Sequence, residues 1–214
     1  MGAQEACLAA ARWRRLQPDL TVTVDVSPRQ VADPGFVGSV RRALLEAGLP
    51  SRALVLGVGG VVLRPGDEAG RASLEELARL DVALSVDDVG TGCSTLPSLR
   101  RLPVQELTVD PSLVRGVGEP EGAALVGAIA GLARALGLRC VAAGVESAPQ
   151  AAALAELGCS RAHGDHVSPP LTEPRLTELL GSGPAVAGPR VPGPREAGAA
   201  GAGRPLAALG RLEE

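Results

Sequence analysis

Apolar residues fall in two patterns along this chain: short runs rich in Val and Leu, and longer stretches where Leu, Val and Ala return every three or four residues. The first pattern predicts strands and the second predicts helices. Residues 2–17 read as an amphipathic helix with Cys7, Leu8, Ala11 and Leu16 inward, stopping before Pro18. TVTVDVSP, Thr21–Pro28, has the β-branched alternation of a strand, and it finishes on Asp25, Ser27 and Pro28. Phe36–Ala47 is helical and closed by Gly48, and Ala53–Leu63 (ALVLGVGGVVL) is a buried strand interrupted by Gly57, Gly59 and Gly60. Ser73 is expected to cap a helix running to Leu80, with Glu76 completing a capping box.

The next strand is apolar at Val82, Leu84 and Val86 and delivers Asp87 and Asp88 into a glycine-containing turn, LSVDDVGTGCS. A short helix, Ser94–Arg101, leads to the strand Glu106–Asp110. The helix Ala123–Leu136 (closed by Gly137), the strand Arg139–Glu146 (RCVAAGVE) and the helix Ala148–Leu157 (closed by Gly158) follow. A strand at Ala162–Ser168 carries His163, Asp165 and His166, and the helix Leu171–Leu180 ends the folded part.

Strands alternating with helices predict an α/β fold with a parallel sheet covered by helices. No Gly-rich phosphate loop follows the first strand, and polar residues recur at the C-terminal ends of most strands. That distribution favours a TIM-like (β/α) barrel, whose site is assembled from loops after many strands, over an open doubly wound sheet. A full barrel has eight strands in about 250 residues, so a chain with six is expected to be incomplete, with the deficit before the first helix. An open edge of this kind invites pairing with another chain, such as a homodimer partner. Residues 1–180 are expected to form the barrel domain. From Gly181 to Glu214, 21 of 34 residues are Gly, Pro or Ala, which predicts a disordered tail.

Composition removes several classes of function. The 214 residues carry 21 Lys+Arg against 24 Asp+Glu, with one Trp, one Phe and no Tyr. A net charge of -3 with so few aromatics offers nucleic acid neither a basic surface nor a stacking platform. The four cysteines are scattered without a CxxC pair, which predicts buried free thiols rather than a zinc knuckle or redox motif. The apolar stretch near Leu8 is too short for a signal peptide core or a membrane span, so a cytoplasmic protein is expected.

The candidate chemistry lies at the strand ends. Asp-rich, Gly-rich turns also serve simply as strand stops and helix caps; Glu146 serves equally as a cap for the helix near Ala148. Arg100 and Arg101 read most simply as a solvated helix end, although an arginine there can also reach a phosphate. His163 and His166, three apart, point to opposite faces of a strand and do not form a shared metal site while the strand continues.

DDVGTGCSTLPSLRRLPVQELTVD, with DVSPRQ upstream and LARALGLRCVAAGVESAPQAAALAELGCSRAHGD downstream, resembles the EAL family of bacterial cyclic-di-GMP phosphodiesterases from about Glu5 to Leu180. The resemblance implies a TIM-like barrel in which two Mg²⁺ or Mn²⁺ ions activate a water that cuts cyclic-di-GMP to pGpG. Asp87 and Asp88 match the family's paired metal-binding aspartates. Asp25 stands where the family has a metal-binding Asn, and Glu146 matches the second glutamate of EGVE. Metal contact is thus expected of Asp25, Asp87 and Asp88, and ligand contact of these three with Glu146 and Arg101.

The departures are substantial. The metal-binding glutamate becomes Gly57, a later loop glutamate Gly60, the lysine Thr108, the first EGVE glutamate Ala143 and a glutamine His163, and no Glu-Ala-Leu signature is present in an equivalent position. The expectation is a degenerate EAL-like domain, non-catalytic, that binds cyclic-di-GMP or regulates a signalling protein. The alternatives are an active phosphodiesterase using replacement ligands such as Asp25, Asp110, His163 or Asp165, and a truncated relic.

Overall fold

A computed structural model describes residues 2–59, 68–90, 99 and 102–182. Its strands are β1 (Val22–Val26), β2 (Leu54–Gly59), β3 (Ala83–Val89), β4 (Glu106–Val109), β5 (Arg139–Ala143) and β6 (Arg161–His163). They pair in chain order, every neighbour parallel, as a curled half-barrel. The described helices are α1 (Ala3–Trp13), α2 (Pro28–Val31), α3 (Phe36–Ala47), α4 (Glu68–Arg79), α5 (Pro111–Arg115), α6 (Pro120–Leu136), α7 (Ala148–Glu156) and α8 (Glu173–Gly181). Right-handed crossovers between consecutive parallel strands place their helices on one side of the sheet. None of the described helices is long and apolar enough to cross a membrane.

The strand register divides the sheet into two chemically distinct faces. Val24 pairs with Leu56, Leu56 with Leu84, Val86 with Leu107 and Leu107 with Cys140. This face is apolar throughout and packs into the core under the helices. The alternate positions run Asp25, Gly57, Ser85, Glu106 and Arg139 across the sheet. This row is polar or small, and the buried apolar residues Val55 and Val141 share its face. The period-two alternation of each strand sorts the two sets.

At the strand starts, Glu106 is almost fully buried and its Oε1 accepts from Arg139 Nε at 2.7 Å and Arg161 Nη1 at 2.9 Å. One carboxylate therefore ties together β4, β5 and β6. On the outer side, α1 reaches α8: Trp13 Nε1 donates to Thr177 Oγ1 at 2.9 Å, and Arg12 pairs with Glu173. The first and last helices are thereby joined although β1 and β6 are both sheet edges.

All six expected strands form, and the helix at Phe36–Ala47 has the expected bounds, with Gly48 in the left-handed conformation at its C-terminus. Several expectations need correction. Leu8 and Leu16, expected to face inward, are exposed, and the strand expected to run from Arg139 to Glu146 ends at Ala143. Ser73 lies inside α4 and does not cap it; Glu76 instead reaches across to Arg41 at 3.0 Å. The strand expected at Ala162–Ser168 stops at His163, where Gly164 adopts a positive φ. Two short helices were not anticipated: α2, capped by Ser27 with Gln30 closing a capping box, and α5, capped by Asp110. The helix expected at Ser94–Arg101 falls outside the described residues apart from Leu99, as do the end of the Ala53–Leu63 strand and residues 183–214.

Candidate functional site

The C-terminal strand ends bring Asp25 and Asp87 to one place, the space above Gly57. Gly57 pairs with Asp25 on one side and Ser85 on the other, while Asp87 lies two residues beyond Ser85 on the same face. A Cβ built on Gly57 would stand 2.6 Å from Asp25 Oδ1 and nearer still to Asp87 Oδ2. The two carboxylates thus fill the volume into which any side chain at position 57 would have to grow.

Asp87 is held from the other side as well. Its Oδ1 accepts from Ser85 Oγ at 3.2 Å, and Ser85 Oγ lies 3.0 Å from Thr108 Oγ1. All three side chains are buried, so this hydroxyl relay offsets the cost of removing the Asp87 carboxylate from water. Ser85 and Thr108 were not singled out as partners of Asp87 from sequence. The available signal was the alternation that places residues 85 and 87 on one strand face.

Asp88 has φ 57°, a left-handed conformation uncommon for a residue with a side chain. The register between β3 and β4 slips here: Val86 pairs with Leu107, but Val89 pairs with Val109, leaving one extra residue on β3. That is a β-bulge, and it re-aims the side chain and leaves Asp88 exposed. Gly90, two residues on, has φ 115°, a conformation that favours glycine, and a Cβ there would also displace the Leu113 side chain of α5.

The remaining candidates are dispersed. Glu146 is exposed beyond the end of β5, and its backbone N–H donates to Gln150 Oε1 at 2.9 Å. Ser147, not Glu146, is the N-cap residue of α7. The Asp110 carboxylate accepts from the Ser112 N–H at 2.7 Å, which commits it to capping α5. His163 pairs in register with the buried Ala143 at the end of the sheet, and Asp165 and His166 lie past the strand. Arg101 and Gly60 lie outside the described residues.

Two divalent ions held close together need several hard oxygen ligands around them. Among the described residues no group of three or more His, Cys, Asp or Glu side chains is placed to hold a metal ion. Gly57 and Ala143 supply no donor, and Thr108 supplies a hydroxyl already engaged with Ser85. The described donor set does not fit a two-metal centre.

The model of the family described as EAL domain matches residues 3–170. The chain is 36% identical over 174 residues to the bifunctional diguanylate cyclase/cyclic di-GMP phosphodiesterase MucR of Pseudomonas aeruginosa, an alignment covering 80% of this chain and 25% of that protein. It therefore spans about a quarter of that relative's length. The solved MucR phosphodiesterase in complex with c-di-GMP superposes with a TM-score of 0.77, covering 81% of this chain and 71% of the other. The EAL domain of Mycobacterium smegmatis DcpA gives a TM-score of 0.79 at 35% identity, covering 88% and 83%. A manganese/cyclic-di-GMP complex of Klebsiella pneumoniae BlrP1 gives 0.66 at 26% identity, covering 76% and 42%. With its order of parallel strands, its paired aspartates near the C-terminal end of β3 and a family match spanning most of its length, this chain belongs to the EAL domain family.

Proposed function

We propose that this EAL domain acts in cyclic-di-GMP signalling as a nucleotide-binding or protein-interaction module and does not cleave the nucleotide. The observation that carries this reading is the space above Gly57, where the carboxylates of Asp25 and Asp87 stand in place of a third ligand-bearing side chain. Removing one group aimed at transition-state charge commonly costs about 100- to 1000-fold in rate. Here, positions 57, 108 and 143 all depart from what the family's chemistry uses. Asp25, Asp87, Asp88 and Glu146 are the residues we assign to ligand contact. Relatives named as cyclic-di-GMP phosphodiesterases, and solved relatives that hold cyclic-di-GMP, support the choice of nucleotide.

The test is to incubate the purified chain with cyclic-di-GMP and Mn²⁺ and follow pGpG by chromatography. No product is expected. Turnover that disappears in Asp87→Asn would overturn the non-catalytic reading. Titration calorimetry with cyclic-di-GMP then separates the two forms of the module: binding heat supports the nucleotide receptor, and its absence at high micromolar concentration leaves the protein-interaction role.

A further inference from the structure

Two thiols with no part in the proposed site lie in contact at the opposite end of the sheet. Cys140 is the second residue of β5, and Cys159 sits in the connection from α7 to β6, directly after Gly158. Their sulfurs are 3.7 Å apart. The surrounding backbone fixes this approach: the Cys159 N–H donates to the Leu154 carbonyl at 3.0 Å and the Ser160 N–H to the Cys140 carbonyl at 2.8 Å. Ser160 Oγ also donates to that Cys140 carbonyl, at 3.1 Å. Both cysteines are buried in the apolar core, and both are reduced in this structure. Forming a disulfide requires the sulfurs to close from 3.7 Å to about 2.05 Å, between a strand and the connection beside it.

We propose that Cys140 and Cys159 form an oxidation site, a dithiol that a peroxide converts to an intramolecular disulfide joining β5 to the α7–β6 connection. The two thiols have different roles. The two sulfurs share one S–H···S contact in which either thiol can donate. Cys140 is held within β5 whereas Cys159 lies in the connection before β6, so Cys159 is the thiol the oxidant meets first and the nucleophile. Its thiolate attacks one peroxide oxygen, the O–O bond breaks, and the departing hydroxide takes up a proton to become water. The resulting sulfenic acid is attacked by the Cys140 sulfur, the S–O bond breaks, and a second water leaves carrying the Cys140 proton. In sum, two thiols and one hydrogen peroxide give one disulfide and two waters, with the sulfurs oxidised and the peroxide reduced. The Gly158–Ser160 connection is the segment that has to open to admit the oxidant.

The sequence makes the experiment simple, because trypsin cleaving after Arg139 and Arg161 releases both cysteines in one peptide, residues 140–161. The full chain is treated with hydrogen peroxide under native conditions, then unfolded, alkylated and digested. The expected result is a peptide lighter by two hydrogens, lacking both alkyl groups and restored by dithiothreitol, while Cys7 stays alkylatable. In Cys140→Ser, a sulfenic acid at Cys159 should be trapped by dimedone instead. Complete alkylation of peptide 140–161 after peroxide treatment, cross-links from either cysteine to Cys7 or Cys93, or over-oxidised Cys159 beside a free Cys140 would each overturn the proposal.

Discussion

The carboxylates of Asp25 and Asp87 meet across Gly57, one from β1 and one from β3, over the strand that lies between them. Their oxygens lie close enough, within about 5 Å, for mutual repulsion to matter, and the Ser85 hydroxyl donates to Asp87. The arrangement depends on position 57 having no side chain.

Gly57→Ala is accordingly expected to destabilise the chain by about 1–3 kcal/mol, the ordinary cost of forcing an atom into an occupied, buried place. The same substitution made in Asp25→Ala should cost at least about 0.5 kcal/mol less, because one of the two groups it displaces has gone. Urea unfolding of the four proteins of this cycle measures the difference. Equal costs in both backgrounds would show that Asp25 does not occupy the space above Gly57.

At the opposite end of the same face, Glu106 bridges Arg139 and Arg161 with a side chain only 6% exposed. Removing a buried partner commonly costs about 3–5 kcal/mol. The two arginines retain access to water, so Glu106→Gln is expected to cost less, about 1–3 kcal/mol. Chemical denaturation checks this; a loss below about 0.5 kcal/mol would mean that the three strands are not tied through this carboxylate.

Thr177→Val removes the acceptor of the Trp13 indole N–H while nearly preserving shape. The expected loss is about 1 kcal/mol, typical of one hydrogen bond. Trp13 is the only tryptophan in the chain, so its fluorescence reports the joining of α1 to α8 directly. An unchanged emission spectrum together with unchanged stability would contradict a structural role for that contact.

Cys7 lies fully buried on α1, and burial raises its pKa above the ordinary 9.0. The unfolded thiol therefore ionises first, near pH 9, while the folded thiol keeps its proton. Stability from this group is intact below pH 9 and is lost as pH rises from there through the folded value, at no more than about 1.4 kcal/mol per pH unit. Urea titrations at pH 8 and pH 10 should show a steeper alkaline loss for the native chain than for Cys7→Ala. Identical pH dependence would exclude the effect.

The strand and helix alternation, the parallel sheet and the family are legible in the chain, because these rest on local signals. Val and Leu runs of strand length, glycines that close helices, and the motif around Asp87 and Asp88 can all be read within a dozen residues. Sequence also located Gly57, Thr108 and Ala143 as departures. Local pattern failed at Ser73, where tertiary packing extends α4 over a residue that would otherwise make a good cap. It could not identify the short helices begun by Ser27 and Asp110 either, since helices of four or five residues carry too little periodicity. Tertiary structure alone decided which distant groups touch. Sequence separates Asp25 from Asp87, Glu106 from Arg161, Trp13 from Thr177 and Cys140 from Cys159, and only the register of parallel strands and the curl of the sheet bring each pair within reach. Asp25 and Asp87 are each legible one residue at a time. Their convergence over an absent side chain is a property of three strands side by side.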